Sequence, residues 1–463
     1  MQPPFDIAAD LDTPVSTYLK LGPLQPRYLL ESVEGGAHLA RYSFLGFGKT
    51  VEFRLDAAGL VVAGERRPRP AGRADLLQVL RATLARAPQL APLIPDLPFA
   101  GGLVGVAGYD LVRYFERLPD APVNAQNPVA PEAAYVAAES LLVFDHLTRR
   151  IALLHAGSDV EHARLRAKVI ELLRGALPPA PQKGTQTATG QSLSREEFMR
   201  AVEVGKQYIS TGDVYQLVLS VQFTGRHTLS PFETYRALRL LNPSPYMFFV
   251  DLGDVQVAGS SPEALVKLRR GHASLRPIAG TRPRGATPEQ DASHEQSLLA
   301  DEKENAEHVM LVDLARNDLG RVASAGSVYV DPFRCIERYS HVMHIVSGVQ
   351  GELAAGQDAF DLFAAAFPAG TLVGAPKVRA MQLIDEMEPV RRGLYAGTVG
   401  YFGSNGDMDQ AITIRTLIVR GDTYSYQAGA GIVADSVPEA EYQEVLAKSA
   451  ILRNALAAAE EGL

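Results

Sequence analysis

Two stretches of the sequence each carry a pair of glutamates at a spacing that could do chemistry. In DEKENAEHVMLVDLARNDLGRV the pair is Glu304 and Glu307, and in SVPEAEYQEVLAKSAIL it is Glu441 and Glu444. Both stretches are predicted to be helical, and a separation of three places the two carboxylates of a pair on one helix face. Lys448, one turn beyond Glu444, falls on that same face. Carboxylates from two facing helices can hold a hard divalent cation that keeps several waters and meets an anionic substrate, the usual behaviour of Mg²⁺. Such pairs are also common on solvated helix faces, and spacing does not decide between the two.

A second group of residues suits an anion. QAGAGIV (Gln427–Val433) sets Gly429 and Gly431 where bare backbone amides can approach a carboxylate. Arg415, in AITIRTL, has apolar neighbours and could form a bidentate pair with a carboxylate. The alternatives are a bulge or tight turn at the glycines, and a protein acid as the partner of Arg415. PIAGTRPRG (Pro277–Gly285) reads locally as a turn.

Two residues are candidates for proton transfer. His344 lies in the β-like apolar run SHVMHIVSG and could serve as a general base, or simply as a structural hydrogen-bonder. Glu263, in GSSPEAL, is a carboxylate between apolar stretches and suits a general acid if its site is dry. It could equally be a helix first-turn acid following Pro262.

These residues need a scaffold, and the 463-residue chain is long enough for a large core. At 46% hydrophobic and 21% charged it has ordinary globular composition. A formal charge of −8 offers no broad basic surface, so no nucleic-acid partner is expected and any anion must be met by locally placed groups. The N-terminal MQPPFDIAADLDTP has neither the basic nor the apolar region of a signal peptide. No apolar run is long enough to span a bilayer, so no membrane association and a cytoplasmic location are expected. Cys335 is the only cysteine, which excludes an intramolecular disulfide and a cysteine-rich metal site.

The clearest break is Leu177–Gln191, LPPAPQKGTQTATGQ, which reads as a linker. It divides an N-terminal domain, 1–176, from a larger one, 192–463. A shorter break spans Arg66–Arg73. Beyond the linker, Ser194 and Glu197 form a capping box, and Phe198, Val202, Tyr208 and Ile209 recur at helical spacing. Val214–Phe223 then alternates as a strand, with Tyr215, Leu217, Leu219, Val221 and Phe223 on one face and Gln216, Ser220 and Gln222 on the other. Helices and strands mix without a βαβ rhythm, which predicts α+β.

GSSPE, PIAGTRPRG, KENAEHVMLVDLARNDLGRV, YSHVMHIVSGV, FPAGTLVGAPKVRAM, YAGTVGYF, IRT, AGAGIV and EYQE follow one another in this order. Taken together they resemble the chorismate-utilising enzymes, most closely those that form anthranilate. Similar motifs begin at LLES (Leu29–Ser32), so the resemblance covers most of the chain. It implies a layered α/β/β/α fold with two orthogonally packed, mainly antiparallel sheets.

The resemblance also implies chemistry: a lyase that converts chorismate and ammonia to anthranilate and pyruvate at the head of tryptophan biosynthesis. Mg²⁺ would sit on Glu307 and Glu444, with Glu304 and Glu441 in support, and would meet the ring carboxylate. Arg415, Tyr395 and the amides of Gly429, Ala430 and Gly431 would take the enolpyruvyl carboxylate, with Gly280, Thr281 and Lys448 lining the site. Glu263 would protonate the departing C4 hydroxyl and His344 would remove the C2 proton. Isochorismate-forming relatives carry a lysine at Gln216 to activate water, and aminodeoxychorismate synthases carry one at Ala279 for covalent attack. Glutamine and alanine can do neither, which favours direct attack by ammonia. The alternatives are a sister enzyme stopping at 2-amino-2-deoxyisochorismate, an aminodeoxychorismate synthase, or a sensor that kept the pocket.

Regulation and assembly follow from the same resemblance. LLES with Ser32, RYSFLG (Arg41–Gly46) and NPSPYMFF with Pro245, Tyr246 and Met247 are similar to the family's tryptophan feedback site. Ammonia would come from a separate glutamine amidotransferase subunit, making a hetero-oligomer. The sequence departs from the family at Val373, Val445 and Ala447, where serine, threonine and asparagine are usual.

Overall fold

Long apolar strands set the architecture. In the computed structural model, which describes residues 4–32, 41–119, 130–339 and 342–463, Tyr42–Asp56 pairs antiparallel with Ala133–Asp145 along almost its whole length. The register shifts between Phe47 and Thr50. Gly48 sits in that bulge at φ 84°, where a side chain would be strained and its Cβ would strike the Glu139 carboxylate. On either side of the bulge the long strand takes different partners, Pro26–Glu31 before it and Gly59–Val62 after it.

Among the described residues, 21 strands join one hydrogen-bonded network and three more form a small second sheet. The pairings between strands are antiparallel. With helices interspersed, the fold is α+β. The cores reveal its layering. One core holds Val104, Val106, Ala134, Val136, Phe248, Val257, Val399 and Ile418, all from strands, and contains no helix residue. It is a strand-on-strand interior. Alternate residues of the same strands, such as Leu103, Ala107, Tyr135 and Ala137, face a second core with Leu76, Leu80, Phe198 and Phe363 of the helices. A third packs Leu29, Leu142 and Phe249 under Val169 and Tyr235 of two further helices. Helix, strand, strand, helix is therefore the order of layers.

Strands from both sides of 177–191 share the network. Gly102–Ala107 pairs with Thr398–Gly403, and Pro26–Glu31 with Tyr246–Asp251. The segment read as a linker also contains a strand, Gln186–Gln191, on the edge of Gln216–His227. Its polar composition hid it, because an exposed edge strand buries little and shows no alternation.

The capping box at Ser194 is present: its hydroxyl accepts from the Glu197 amide and the Glu197 carboxylate accepts from the Ser194 amide. The following helix, Arg195–Ser210, buries Phe198 and Val202. The strand expected over 214–223 is present as Gln216–His227, and its residues 216–221 are buried on both faces. That strand is central, with Thr423–Ile432 along one edge and Gln186–Gln191 and Gly374–Ala375 sharing the other. Gln216 and Ser220 are thus held inside the protein. No described helix is long and apolar enough to cross a membrane.

Candidate active site

The two glutamate pairs lie on two helices, Glu302–Gly320 and Pro438–Glu461. Burial raises the proton affinity of Glu307, a hydrogen bond from Gln216 offsets it, and the charges of Glu304 and Glu444 add to the rise. Burial likewise raises Glu441, with Ser436 opposing and Glu444 contributing. The carboxylates of the two helices therefore feel one another, and each is turned to a protein donor. Gln216 Nε2 donates to Glu307 Oε1 at 3.0 Å, Arg282 to Glu304 at 3.3 Å, and Lys448 Nζ to Glu444 at 2.7 Å. Among the described residues no three acids or histidines are gathered closely enough to enclose a metal ion.

Glu263 lies between the strands Gln256–Ser261 and Ala264–Arg269, so it is not a helix first-turn acid. Thr371 Oγ1 donates to its Oε1 at 3.0 Å. Burial raises Glu263 to about 7, against the lowering effects of Thr371, Arg415 and Lys448. A carboxyl so placed exists in both protonation states at neutral pH.

PIAGTRPRG is not a turn. Ile278–Pro283 is a strand beside Val342–Val346, and its register shifts between Ala279 and Thr281. Gly280 is the extra residue, at φ 72°, and a Cβ there would crowd Leu298 and the Glu304 carboxylate. Such a bulge takes a carbonyl out of the ladder. The Gly280 carbonyl is 3.0 Å from His344 Nδ1, and Thr281 Oγ1 also lies 3.0 Å from that nitrogen. If Nδ1 carries the proton and donates to the carbonyl, Nε2 presents its lone pair. Burial lowers the proton affinity of His344, the Gly280 contact opposes this, and Arg415 adds to the lowering. Ser340 and His341, in the same motif, lie outside the described residues.

QAGAGIV is neither a bulge nor a turn. It ends the strand Thr423–Ile432, whose register with Gln216–His227 runs without a break. The glycines are explained by close approach: a Cβ on Gly429 would lie 2.7 Å from the Tyr395 hydroxyl, and one on Gly431 would lie 2.9 Å from Gln216 Nε2. Lys448 Nζ also donates to the Gly429 carbonyl at 3.1 Å. Arg415 adopts φ 49° and acts electrostatically on both Glu263 and His344. Tyr395 is buried, its hydroxyl held protonated by desolvation. Acid, base, cations and glutamates thus form one electrostatic neighbourhood. Val373 and Val445 are both core residues, while Ala447 is exposed.

Sequence reasoning missed the hydrogen bond of Thr371 to Glu263, the pairing of Arg282 with Glu304 and a buried Arg392–Glu388 pair. The quoted motif FPAGTLVGAPK contains Thr371, but nothing local marks its target.

Ser32, Pro245, Tyr246 and Met247 all line one cavity of about 480 Å³, together with Arg41, Tyr42 and Phe44. Lys267 Nζ is 3.0 Å from Asp409 and lies over the Tyr246 ring at 5.1 Å, while the Tyr246 hydroxyl donates to Asp409 at 3.1 Å. A smaller cavity of about 40 Å³ is lined by Glu263 and Thr371. Both cavities are walled by Ala264 and Arg276.

Comparison with known proteins adds a consistent pattern. Residues 25–454 match the family described as chorismate binding enzyme. The sequence is 47% identical over 462 residues to anthranilate synthase component 1 of Thermus thermophilus, covering 98% of this chain and 97% of that one. It is 46% identical over 473 residues to the protein of that name from Acinetobacter calcoaceticus, covering 98% and 95%. The crystal structure of anthranilate synthase component I from Streptococcus pneumoniae matches with a TM-score of 0.79 at 36% identity, over 89% of this chain and 92% of that one.

Proposed function

The chain belongs to the chorismate binding enzyme family, and from that premise we propose that it is the chorismate-converting component of an anthranilate synthase. The observation that carries the proposal is the opposed pair Glu263 and His344. Burial raises the acid to about 7 and lowers the base, as a donor and an acceptor of protons working at one pH require. Full-length similarity to anthranilate synthase components supports the same reading.

In this mechanism ammonia attacks C2 of chorismate and the ring double bonds shift. The C4 hydroxyl leaves as water, on a proton from Glu263. His344 then takes the C2 proton, and that electron pair aromatises the ring as the C3–O bond breaks. Enolpyruvate departs and takes up a proton to become pyruvate. Arg415, Tyr395 and the amides of residues 429–431 hold the enolpyruvyl carboxylate, with Gly280, Thr281 and Lys448 bordering the substrate. Gln216 has no basic nitrogen to activate water, and its amide is engaged with Glu307. Ala279 offers no amine for covalent attack.

The donor set suits a hard cation, because carboxylates on two helices raise one another's proton affinity and would be relieved by positive charge. Glu307 and Glu444 would hold Mg²⁺, with Glu304 and Glu441 in support through water. Once bound, the ion would supply Lewis-acid charge to the ring carboxylate. Glu304 and Glu444 would exchange their present contacts with Arg282 and Lys448 for that role.

Tryptophan is the proposed occupant of the larger cavity, which is of a size for one amino acid. Its wall at Ala264 and Arg276, shared with the cavity beside Glu263, offers a route for feedback. A glutamine amidotransferase subunit is the proposed source of ammonia. Chromatographic product analysis of chorismate with ammonium salts, with and without Mg²⁺, tests the whole reading. Anthranilate and pyruvate are expected. Accumulated 2-amino-2-deoxyisochorismate or aminodeoxychorismate, or no turnover, would replace this assignment.

A further inference from the structure

Arg392 heads the fully buried side chains by volume among the described residues, at 2% exposure. It stands outside regular structure, between the helix Lys377–Met387 and the strand Thr398–Gly403. Nε donates to Glu388 Oε2 at 2.9 Å and Nη2 to Glu388 Oε1 at 2.7 Å. Nη1 donates to the Leu372 carbonyl at 2.7 Å, and Nη2 also donates to the Val218 carbonyl at 2.8 Å. The guanidinium lies 5.0 Å from the Tyr109 ring centroid and 5.5 Å from that of Tyr395. Glu388 accepts in addition from the Ser220 amide at 2.9 Å and the Ser220 hydroxyl at 2.7 Å.

A buried ion pair is a poor source of net stability, since desolvation offsets much of the attraction. What this one supplies is connection. Leu372 follows Thr371, the donor to Glu263. Val218 and Ser220 lie on the strand that carries Gln216, the donor to Glu307. Tyr395 faces Gly429. One planar, five-donor group therefore touches three segments that each present a different part of the site.

We propose that the Arg392–Glu388 pair is a positioning device that holds the Gly370–Leu372 turn, the Gln216–His227 strand and the Tyr395 ring in one mutual register, keeping the Thr371 hydroxyl on Glu263 and the Tyr395 hydroxyl beside Gly429. The pair touches no substrate, and the inference rests on the proposed function only for the identity of the reaction. The competing account is an inert core pair.

Two variants separate these accounts. Arg392→Lys keeps the charge, but one ammonium cannot span the carboxylate and both carbonyls. The double variant Arg392→Met with Glu388→Leu removes both charges and leaves neither orphaned. Folding is followed by circular dichroism and thermal unfolding, and turnover by anthranilate formation from chorismate and ammonium. Glu263 is titrated by infrared difference spectroscopy without substrate, with Glu263→Gln as the assignment control. Folded variants are expected to lose about 10- to 100-fold in kcat, the scale of small misplacements, with a smaller change in KM. The Glu263 titration is expected to move up, because the hydrogen bond from Thr371 lowers it. Folded variants with normal kcat and an unmoved titration overturn the proposal, as does failure of both to fold. An inactive wild type whose Glu263 titration still moves in the variants would sink the functional reading and leave the positioning role standing.

Discussion

Gln216 Nε2 and Glu307 Oε1 are 3.0 Å apart, joining a central strand to a helix across 91 residues of sequence. The contact offsets part of the cost of burying the Glu307 carboxylate. It uses one arm of the glutamine amide, and the other arm, Oε1, is buried without a partner among the described residues. An acid so placed has only partial compensation within the protein.

Glu307→Gln and Glu444→Gln should each cut Mg²⁺-dependent turnover by about 10²-fold or more, the usual scale for losing a principal electrostatic stabiliser. Steady-state rates across a Mg²⁺ titration measure this. Near-normal rates in both variants would remove these residues from the metal assignment.

The pH dependence follows from Glu263 and His344. Glu263 must be protonated to act as an acid and is raised to about 7, so kcat/KM should fall as pH rises through that value. His344 must be neutral to act as a base and is lowered, so it should remain competent below the ordinary imidazole range. A pH–rate profile with no alkaline limb near 7 would contradict the role of Glu263.

Replacing His344 by alanine should impair pyruvate release more than amination, since only the second step needs the C2 proton removed. Accumulation of the aminated intermediate, detected by mass spectrometry, is the expected result. Unchanged anthranilate output would dismiss His344 as the base.

Tryptophan should inhibit, and Ser32→Arg should relieve inhibition while sparing catalysis by filling the 480 Å³ cavity. Met247→Thr should do the same at a cost in stability, because Met247 is 1% exposed and packs in a core as well as lining the cavity. Inhibition curves and melting temperatures distinguish the two effects. A wild type indifferent to millimolar tryptophan would end this idea.

The isolated chain should use ammonium but not glutamine. The Cys335 thiol donates to the Val346 carbonyl at 3.2 Å, and burial raises its pKa, the reverse of what activates a thiolate. Cys335→Ala should therefore leave the ammonium-dependent rate unchanged, and adding the amidotransferase partner should confer glutamine use. Glutamine turnover by the purified chain alone, lost in Cys335→Ala, would refute the need for a partner.

The sequence by itself determined what short-range physics encodes. Three-residue spacing on helical segments put Glu304 with Glu307 and Glu441 with Glu444, and Ser194 with Glu197 announced a helix start that is present. The order of the motifs carried the family resemblance and, with it, the layered fold. Local patterning failed where burial was decided at a distance. Gln186–Gln191 looked like linker because an exposed edge strand has no apolar rhythm, and Ile278–Pro283 looked like a turn because its glycine marks a bulge. The release of the Gly280 carbonyl to His344, the donation from Thr371 to Glu263 and the burial of Arg392 among three segments belong to the tertiary structure alone. Each joins residues far apart in the chain, and partners brought together only by folding leave no periodicity for a sequence to display.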